Sequence, residues 1–476
     1  MNPVAIPLIE AAPFHLTPAT AQALTGGTWH GSQQTVTLRG AALDSRAVRP
    51  GSLFVAIRGE RVDGHDFAAT AAGAGAALVL AQRPLDLPVP VLVCADVPGA
   101  LLALAAEFRR RFTGATWIAV GGANGKTTTK DLLAAACRGS GQPVHVTAGN
   151  LNNHLGVPVT ILATPAGTRF AVIEVGTNHP GEIAPLAAAV APEVAVVTSI
   201  GPEHLEGFGD LAGVAREEAA LLAALPPGAP CFAGLHGLAG HAAAHGTTVP
   251  ALVALLTAPA AGRRLELLDD VVHPTGHGHV PTGRVASLSI RLDTPEGSAE
   301  LPLPGAHNLS NATLAYRAAV AAGVAPQEAL AGLSRAVPSA GRCQPKPWGH
   351  HLVIDDTYNA NPASMIAGLA VLANCPGERL AVLGRMGELG TNEAEGHRQV
   401  GAEAARLGLP LISVRAPEMA AGYRAAGGSR LVEAADHQAA TAAVRAHLAH
   451  PTTILIKASR SQALERVVEA LLLSPC

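Results

Sequence analysis

The segment WIAVGGANGKTTTK, residues 117–130, constrains the fold of this chain more than any other stretch. A short apolar run over 117–120 predicts a buried strand, and the residues from Thr128 to Cys137 are compatible with a helix. Between them lies a glycine-rich turn, whose backbone N–H groups can close around phosphate oxygens at the start of the helix. The sequence therefore predicts a strand, a phosphate-binding loop and a helix in succession.

The spacing of this loop is Gly-x-x-Gly-Lys-Thr, and Val120 occupies the position where the usual phosphate loop has its first glycine. We predict that Lys126 reaches the terminal phosphates of a nucleotide and that the Thr127 hydroxyl holds Mg²⁺. The alternative interpretation is a plain surface turn. The residues predicted to bind the nucleotide here are Gly122, Ala123, Asn124, Gly125, Lys126, Thr127 and Thr128.

Short apolar runs alternate with Ala- and Leu-rich helical stretches along most of the chain, which indicates an α/β fold with parallel sheets. The predicted strands are 52–57, 77–81, 91–94, 170–176, 194–200, 351–355, 379–384, 410–414 and 453–459. The predicted helices lie near 66–74, 98–112, 181–190, 210–225, 362–373, 393–407 and 437–449. Periodicity is poorest over 226–300.

Two turn-rich breaks divide the chain, one at 111–114 and the other at 337–341. They predict three α/β domains: residues 1–113, residues 114–337 with the phosphate loop, and residues 338–476. A chain of 476 residues is too long for one ordinary core, which agrees with this division.

The composition argues against several function classes. The formal net charge of −3 gives no reason to expect a nucleic acid partner. No apolar run reaches roughly 18 residues, so we expect no membrane span, and the first residues lack the basic region of a secretory signal. The six cysteines are scattered without a Cys-x-x-Cys pair, which is typical of a reducing compartment. We therefore expect a cytoplasmic protein.

Polar side chains near the ends of two predicted strands could complete a metal site. Glu174 lies at the end of one apolar run, and His204 follows the next. A carboxylate at the carboxyl edge of a sheet that also carries a phosphate loop is where a Mg²⁺ ligand is expected. Asn152 and Asn153 in GNLNNHLGVP add hydrogen-bonding groups. The ordinary alternatives are a structural histidine and a turn cluster.

If ATP binds at Lys126, an anionic substrate that attacks its γ-phosphate meets electrostatic repulsion. Metal ions and cationic side chains have to neutralise both partners. Candidate cations are Arg342, Lys457 and Arg460, each of which could instead be a solvated surface charge.

Taken together, these segments resemble the Mur ligases, and most closely the members that add D-Ala-D-Ala to UDP-MurNAc-tripeptide. The resemblance extends from about residue 40 to 470 and is weakest over 226–300. The similar segments are LDSRAVRPGSLFVAIRGERVDGHDFAATAAGAGA (43–76), GANGKTTTK, GNLNNHLGVP, EVGTNHPGEI, HLEGFGDLAGVA, GAHNLSNA (305–312), IDDTYNANPASM (354–365), the LG-x-M-x-ELG pattern at 383–390 and KASRS (457–461).

This resemblance implies an N-terminal domain that binds a UDP-linked sugar-peptide, a central ATP-binding domain and a Rossmann-like C-terminal domain. It implies an ATP-dependent amide ligase of cell-wall precursor synthesis. ATP would phosphorylate the terminal carboxylate of the UDP-linked peptide, and an amine, the dipeptide, would attack the acyl phosphate. ATP and Mg²⁺ are the implied cofactors. We expect a monomer without a nucleic acid or membrane partner.

The resemblance also implies a role for individual residues. The implied catalytic residues are Lys126, His204, Glu218, Arg342 and Lys457, and the implied metal ligands are Thr127, Glu174, His204 and Glu218. The implied nucleotide contacts outside the loop are His307 and Asn308 to adenine, with Arg342, Asp355 and Asp356 from the C-terminal domain. The implied substrate-binding residues are Asp44, Ser45, Arg46, Asn152, Asn153, Tyr358, Asn359, Lys457, Ser459 and Arg460.

One departure from the family falls at a metal ligand. Mur ligases usually carry a lysine, carbamylated by CO₂, at the position that Glu218 occupies here. We hypothesise that Glu218 replaces the carbamate, directly or through a water, although its side chain is shorter by about 3–4 Å. In the alternative, Glu217 and Glu218 are both surface charges on a helix and the second metal site is lost.

Three other departures concern loops. Arg385 stands at the Asp position of the LG-Asp-M-x-ELG pattern, which suggests an altered amine substrate or a changed loop contact. The segment 231–237 reads CFAGLHG where the family has N-x-D-D, and Gly121 stands where the phosphate loop usually begins with Thr. Two alternatives therefore stay open: a related amide ligase of a specialised pathway with another carboxylate and amine, and a nucleotide-binding scaffold without activity.

Overall fold

The structure is a computed structural model that describes residues 11–59, 62–268, 282–285 and 288–473, with the backbone alone for 282–285 and Thr391. Helices and strands alternate through three units, each built on its own mainly parallel sheet, which confirms the predicted α/β fold. We call them the first, second and third unit in chain order. Strands inside these sheets are apolar on both faces because helices cover both sides.

The first unit carries a five-stranded sheet in the order β2-β7-β6-β5-β4 and a separate antiparallel pair, β1 and β3. The sheet is parallel except at β2. Its elements are β1 (Phe14–Leu16), α1 (Pro18–Thr25), β2 (Thr28–His30), β3 (Val36–Leu38), β4 (Ala41–Ala42), β5 (Leu53–Val55), α2 (Ala68–Gly73), β6 (Leu78–Ala81), β7 (Val91–Val93) and α3 (Val97–Arg111).

The second unit is built on a wholly parallel six-stranded sheet in the order β13-β12-β11-β8-β10-β9. Its elements are β8 (Thr116–Gly121), α4 (Lys126–Arg138), β9 (Val144–Val146), α5 (Gly156–Leu162), β10 (Phe170–Glu174), α6 (Ile183–Val190), β11 (Val194–Val197), α7 (Leu205–Phe208), α8 (Leu211–Ala223), β12 (Pro230–Gly234), α9 (Leu238–Ala244), α10 (Val249–Thr257) and β13 (Arg264–Leu268).

Strand β8 lies where the order of this sheet reverses, with β10 on one side and β11 on the other. In open parallel sheets, a crevice forms at this position outside the carboxyl ends of the strands. The residues that follow β8, β10 and β11 therefore come together at one edge.

An antiparallel three-stranded sheet and two helices complete the second unit. The elements are β14 (Thr282–Val285), β15 (Ile290–Thr294), β16 (Gly297–Leu301), α11 (Ala306–Ala321) and α12 (Pro326–Leu333). Helices α11 and α12 pack on α4, so they support the helix that follows the phosphate loop. The small sheet lies in the stretch where the sequence was least periodic, and no strand was predicted there.

The third unit carries a six-stranded sheet in the order β17-β18-β22-β19-β20-β21, parallel except at β17. Its elements are β17 (Gln344–Trp348), β18 (His351–Asp356), α13 (Pro362–Ala373), β19 (Glu378–Gly384), α14 (Glu393–Arg406), β20 (Leu411–Val414), α15 (Pro417–Ala425), β21 (Leu431–Ala434), α16 (His437–His447), β22 (Thr452–Lys457) and α17 (Glu465–Leu472).

The first and second units share one apolar core, because α3 packs against α5 and α6. Arg109 of α3 secures this contact. Its guanidinium donates hydrogen bonds to the carbonyls of Val190 and Ala191 at the end of α6, both at 2.9 Å, and to Glu193 at 2.7 Å. The same group lies 4.7 Å from the centre of the Trp117 ring, at the start of β8. The phosphate-loop strand is thus tied to the first unit.

Five cysteines are described, and these five are buried and form no disulfide: Cys94, Cys137, Cys231, Cys343 and Cys375. Burial raises the pKa of the Cys137 thiol to about 12 and that of Cys231 to about 11. Within the described residues, no helix has the length and apolar character needed to cross a membrane.

We expect Arg109→Ala to lower the free energy of unfolding of the first and second units by about 2–3 kcal/mol, because it leaves helix-end carbonyls and Glu193 without their donor. Urea denaturation followed by circular dichroism measures this change. Arg110→Ala is the matched control, since Arg110 is exposed and, among the described residues, pairs with Glu107 on its own helix. Its effect should stay within about 0.5 kcal/mol. Equal losses in both variants would contradict the role assigned to Arg109.

Candidate active site

The loop between β8 and α4 has the shape of a phosphate-binding loop. Gly122 has φ 116° and Gly125 has φ 88°, a backbone region that favours glycine. A Cβ on Gly122 would lie 2.3 Å from Thr198 Oγ1, so the loop can approach the end of β11 only without a side chain there. Helix α4 begins at Lys126, two residues earlier than the predicted helical stretch, and directs its first N–H groups at the loop.

Asn124 fixes the loop to neighbouring segments. Its backbone N–H donates to Ser199 Oγ at 3.0 Å, and its carbonyl accepts from Thr198 Oγ1 at 2.7 Å. Its side-chain Oδ1 accepts from Asn361 Nδ2 of the third unit at 2.8 Å. The loop is therefore held from both the second and the third unit.

Glu174, at the carboxyl end of β10, is 1% exposed and lies directly behind Thr127. Its Oε1 accepts hydrogen bonds from Thr127 Oγ1 at 3.1 Å and from Asn152 Nδ2 at 2.8 Å. Lys130 Nζ is 3.7 Å from its Oε2. The structure thus brings together three of the predicted residues, Thr127, Asn152 and Glu174. Lys130, which the sequence analysis did not select, is part of the same group.

Glu218 is fully buried on α8 and accepts a hydrogen bond from the Gly122 N–H at 2.5 Å through Oε2. Glu217 is also buried and accepts from the N–H groups of Gly181 and Ile183 at 2.7 and 2.8 Å. The alternative that both glutamates are surface charges is wrong. Burial, followed by the charge of Glu203, raises the pKa of Glu218 well above its usual value.

Lys126 and Glu203 complete the carboxylate-rich side of the loop. Lys126 Nζ lies 3.3 Å from Glu203 Oε2, and the Glu203 side chain is 8% exposed. Although burial lowers the pKa of Lys126, the charges of Glu203, Glu218 and Glu174 raise it above its usual value. Glu203 directly precedes His204 and was not among the predicted residues.

His204 caps the short helix α7 with a left-handed backbone, φ 45° and ψ 36°. Its Nδ1 is 3.8 Å from Glu388 Oε2, so this side chain lies where the second and third units meet. Left-handed backbone at a non-glycine residue is costly and is concentrated at functional sites.

The residues around the loop fit a Mg²⁺ ion by the chemistry of their donors. Among the described residues, no three His, Cys, Asp or Glu side chains are grouped as a ready-made metal site. However, one buried oxygen of each of Glu174, Glu203 and Glu218 has no hydrogen-bond partner. Mg²⁺ prefers oxygen ligands and is usually held by one or two carboxylates together with substrate phosphates. Buried carboxylate oxygens without donors beside a phosphate loop meet that requirement.

The third unit reaches this site through Arg342. Its Nη2 is 3.2 Å from Thr127 Oγ1, and its guanidinium lies 4.1 Å from the centre of the Tyr358 ring. Arg460 lies on the same ring at 5.9 Å. The predicted residues Arg342, Tyr358 and Arg460 therefore form one stacked cationic group next to the loop.

A second cluster lies at the carboxyl ends of the adjacent strands β18 and β22. Lys457 Nζ is 2.8 Å from Asp356 Oδ2 and donates to the Asn359 carbonyl at 2.9 Å. Asp355 pairs with Lys346 at 2.7 Å and accepts from Thr357 Oγ1, also at 2.7 Å. Ser459 accepts from the Gly387 N–H at 2.7 Å. These ion pairs are internal to the third unit.

Several predicted side chains also have local structural roles. Asn153 Oδ1 accepts from the Gly156 N–H at 2.9 Å, at the start of α5, and Asn308 bonds to the Pro304 carbonyl at 2.7 Å and to Asn311 at 3.2 Å. Burial lowers the pKa of His307 to about 4, so the ring is neutral at physiological pH. Asp356, His236 and Lys457 are its titratable neighbours.

The predicted substrate residues of the first unit form an exposed group of their own. Asp44 caps the short 3₁₀ helix Ser45–Ala47, and its carboxylate pairs with Arg46 at 2.6 Å. The hydrogen bonds from Arg46 lower the pKa of Asp44. The interactions that the structure shows for Asp44, Ser45 and Arg46 lie within residues 44–48.

Three family models match the chain: the Mur ligase middle domain over residues 120–319, the Mur ligase glutamate ligase domain over 341–460, and the Mur ligase catalytic domain over 37–108. The UDP-N-acetylmuramoyl-tripeptide–D-alanyl-D-alanine ligase of Escherichia coli K12 is 37% identical over 92% of this chain and 94% of its own length. Its counterpart in Bacillus subtilis is 32% identical over 93% and 95%.

The chain belongs to the Mur ligase family.

Solved Mur ligase structures share the whole architecture. MurF from Acinetobacter baumannii superposes with a TM-score of 0.83 at 30% identity, covering 97% of this chain and all of that one. The MurF ligase of Thermotoga maritima in complex with ADP gives a TM-score of 0.74 at 25% identity, covering 91% and 96%. The expected three-domain Mur ligase fold is thereby confirmed.

Two of the departures of this Mur ligase fall on residues in contact. A Cβ on Gly121 would lie 2.9 Å from Glu218 Oε2 and 3.0 Å from Leu221 Cδ2. Glycine at 121 therefore leaves the space in which the Glu218 carboxylate lies.

Three residues that the sequence analysis missed are important in this geometry: Lys130, Glu203 and Asn361. The position of Glu203 immediately before His204, at the end of a strand, was a usable signal. Asn361 lies in the similar segment 354–365 and caps α13, but its contact with Asn124 depends on how the units dock. The burial of Glu218 was readable from its spacing, because Val214 and Leu221 place it on the apolar stripe of α8.

We expect Gly121→Ala to lower the free energy of unfolding by about 1–3 kcal/mol, because the added methyl meets the Glu218 carboxylate in a packed site. In a Glu218→Ala background this cost should fall by at least about 1 kcal/mol, since the effects of substitutions at two contacting residues do not add. A double-mutant cycle by urea denaturation measures the coupling. Gly240→Ala, at a helical position with no atom within 4 Å of the new Cβ, is the control. Additive costs at 121 and 218 would refute the contact.

Proposed function

We propose that this Mur ligase joins D-Ala-D-Ala to UDP-MurNAc-tripeptide in an ATP-dependent reaction that passes through an acyl phosphate. The observation that carries the proposal is the convergence at one sheet edge of a phosphate loop, three buried carboxylates and cationic side chains from the third unit. The curated relatives with the same domain order are named for this reaction.

In the proposed reaction, Lys126 and the loop N–H groups bind the β- and γ-phosphates of ATP. Thr127, Glu174, His204 and Glu218 are the proposed metal ligands, through oxygen atoms and the His204 ring. Bound Mg²⁺ would neutralise the phosphates and the attacking carboxylate. Asn152 holds one oxygen of Glu174 at 2.8 Å and so orients this carboxylate.

The third unit supplies the remaining cations in this proposal. Arg342 and Lys457 neutralise charge that develops as the peptide carboxylate attacks phosphorus. Arg342, Asp355 and Asp356, with His307 and Asn308 of the second unit, are the proposed nucleotide contacts. The internal ion pair between Lys457 and Asp356 holds both side chains at the ends of adjacent strands.

The incoming amine is proposed to bind beside Tyr358, Asn359, Ser459 and Arg460. These residues lie on the face of the third unit that docks on the phosphate loop through Asn361 and Asn124. Docking of this face excludes water, which would otherwise hydrolyse the acyl phosphate. The UDP-linked end of the peptide is proposed to bind the first unit at Asp44, Ser45 and Arg46.

The domain limits 1–113, 114–337 and 338–476 remain proposals, as do a monomeric state and a cytoplasmic location. A ligase of a specialised pathway gains no support from the geometry around Arg385. The Arg385 guanidinium pairs with Glu393 at 2.6 Å at the start of α14, so the replacement has a structural partner within its own unit. A scaffold without activity gains no support either, since Lys126 and Arg342 both lie at the phosphate loop.

We expect the purified protein to form UDP-MurNAc-pentapeptide from ATP, Mg²⁺, UDP-MurNAc-tripeptide and D-Ala-D-Ala, with release of one ADP and one phosphate. Mass spectrometry of the product measures this directly. Lys126→Ala should reduce the rate by about 10²–10³-fold, because it removes a charged donor to the transferred phosphate. Arg110→Ala is a control with an exposed cation remote from the loop. Product formation at an unchanged rate in Lys126→Ala would overturn the proposed site.

We expect the activity to be independent of CO₂, because Glu218 already provides a carboxylate at the position of the carbamylated lysine. Rates should agree within experimental error between CO₂-depleted buffer and buffer with added bicarbonate. Glu218→Ala should lose about 10²-fold or more in rate. A Mur ligase with lysine at the position of Glu218 is the positive control, because it should lose activity when CO₂ is depleted. Stimulation of this chain by bicarbonate would show that Glu218 does not replace the carbamate.

A further inference from the structure

The ammonium group of Lys126 is folded back over its own loop. Its Nζ donates to the carbonyl of Gly122 at 2.5 Å and to that of Ala123 at 3.3 Å, and its third partner is Glu203 Oε2 at 3.3 Å. The side chain is 15% exposed. All three donor positions of the ammonium are thus occupied by oxygens of the protein. To bind a phosphate, Lys126 has to give up at least one of these partners.

Glu203 is the partner with a full negative charge. Its side chain is only 8% exposed, and its Oε1 has no hydrogen-bond partner among the described residues. Among the described residues, Lys126 is the only cation in an ion pair with Glu203. The Glu218 carboxyl faces it, bonded through Oε2 to the Gly122 N–H, while its own Oε1 also lacks a donor. Lys126 therefore compensates a buried pair of carboxyl groups.

Glu174 does not depend on Lys126 in the same way. Its Oε1 accepts hydrogen bonds from Thr127 and Asn152, and Lys130 Nζ lies 3.7 Å from its Oε2. If Lys126 moved to a phosphate, Glu174 would keep its partners, whereas Glu203 and Glu218 would lose their cation. An uncompensated buried carboxylate is costly, so a replacement positive charge would stabilise this pair of carboxyl groups.

We propose that Glu203 holds Lys126 in this folded-back position until a divalent cation, arriving with the nucleotide, replaces the ammonium between Glu203 and Glu218. Lys126 is then released toward the phosphates. Glu203 is thereby a positioning residue for Lys126 and an additional carboxylate facing the metal. The inference rests on the proposed nucleotide site and deepens it, because it makes phosphate contact by Lys126 dependent on the metal.

The exchange predicts effects of opposite sign on two equilibria. Without a divalent cation, the Lys126–Glu203 pair competes with the nucleotide, so its removal strengthens nucleotide binding. With the cation present, Glu203 helps to hold it, so the same removal weakens metal binding. Thermodynamic linkage then requires the nucleotide affinity of the native protein to depend more steeply on Mg²⁺ than that of the variant.

The test uses Glu203→Gln, which keeps the size of the side chain and removes its charge. Titration calorimetry with the non-hydrolysable analogue AMP-PNP is run in EDTA and in saturating Mg²⁺. We expect the variant to bind the analogue about 5- to 10-fold more tightly than the native protein in EDTA. In Mg²⁺ this advantage should vanish or reverse. Electron paramagnetic resonance of Mn²⁺ with AMP-PNP should show weaker cation binding by the variant.

Glu182→Gln is the matched control. Glu182 is the N-cap residue of α6 and accepts hydrogen bonds from the N–H groups of Asn178 and His179, and among the described residues it has no lysine partner. It should leave both affinities unchanged. Glu203→Asp, which keeps the charge on a shorter stem, should retain the steep Mg²⁺ dependence, and circular dichroism establishes that each variant is folded.

The outcomes separate the two proposals. Equal weakening of AMP-PNP binding by Glu203→Gln in EDTA and in Mg²⁺, or no change in either, would overturn the exchange while leaving the nucleotide site intact. Failure of the native protein to bind AMP-PNP under both conditions would overturn the proposed function itself, and the exchange with it.

Discussion

The buried hydrogen bond from the Gly122 N–H to the Glu218 carboxylate is the interaction on which the rest of the site depends. It places a buried carboxyl group beneath a loop that is proposed to bind anions. Lys126 lies close to this carboxyl group, and Gly121 leaves the space that it occupies. The loop backbone, Lys126 and the carboxyl groups are therefore electrostatically coupled, so a change in one of them alters the energies of the others.

The position of the site follows from the order of the strands. Strand β8 has β10 and β11 as neighbours, so Glu174 and Glu203 reach the phosphate loop from opposite sides without any long connection. The third unit adds Arg342 and Asn361 from outside. The second unit thus contributes the fixed part of the site, and the third contributes groups that are present only when the units are docked.

Part of this arrangement was predictable, since apolar runs located β8, β10 and β11, whose ends form the site. The parallel strands β4, β9, β12, β13 and β21 were not predicted. The short strands of the first unit, such as Phe14–Leu16 and Thr28–His30, were not predicted, because three residues carry too little periodicity. Glu218 was left between metal ligand and surface charge, because buried glutamates are rare and composition favours exposure. Asn361 was missed for another reason: its role exists only in the docked arrangement.

Each of the three units contains at least one of the five buried thiols, and this gives the protein a built-in set of chemical probes. Burial keeps them protonated, so an alkylating reagent can attack only a thiolate that local opening has exposed. Cys94 would report on the first unit, Cys137 and Cys231 on the second, and Cys343 and Cys375 on the third. The order in which they are alkylated would show which unit opens locally most readily, without any introduced label.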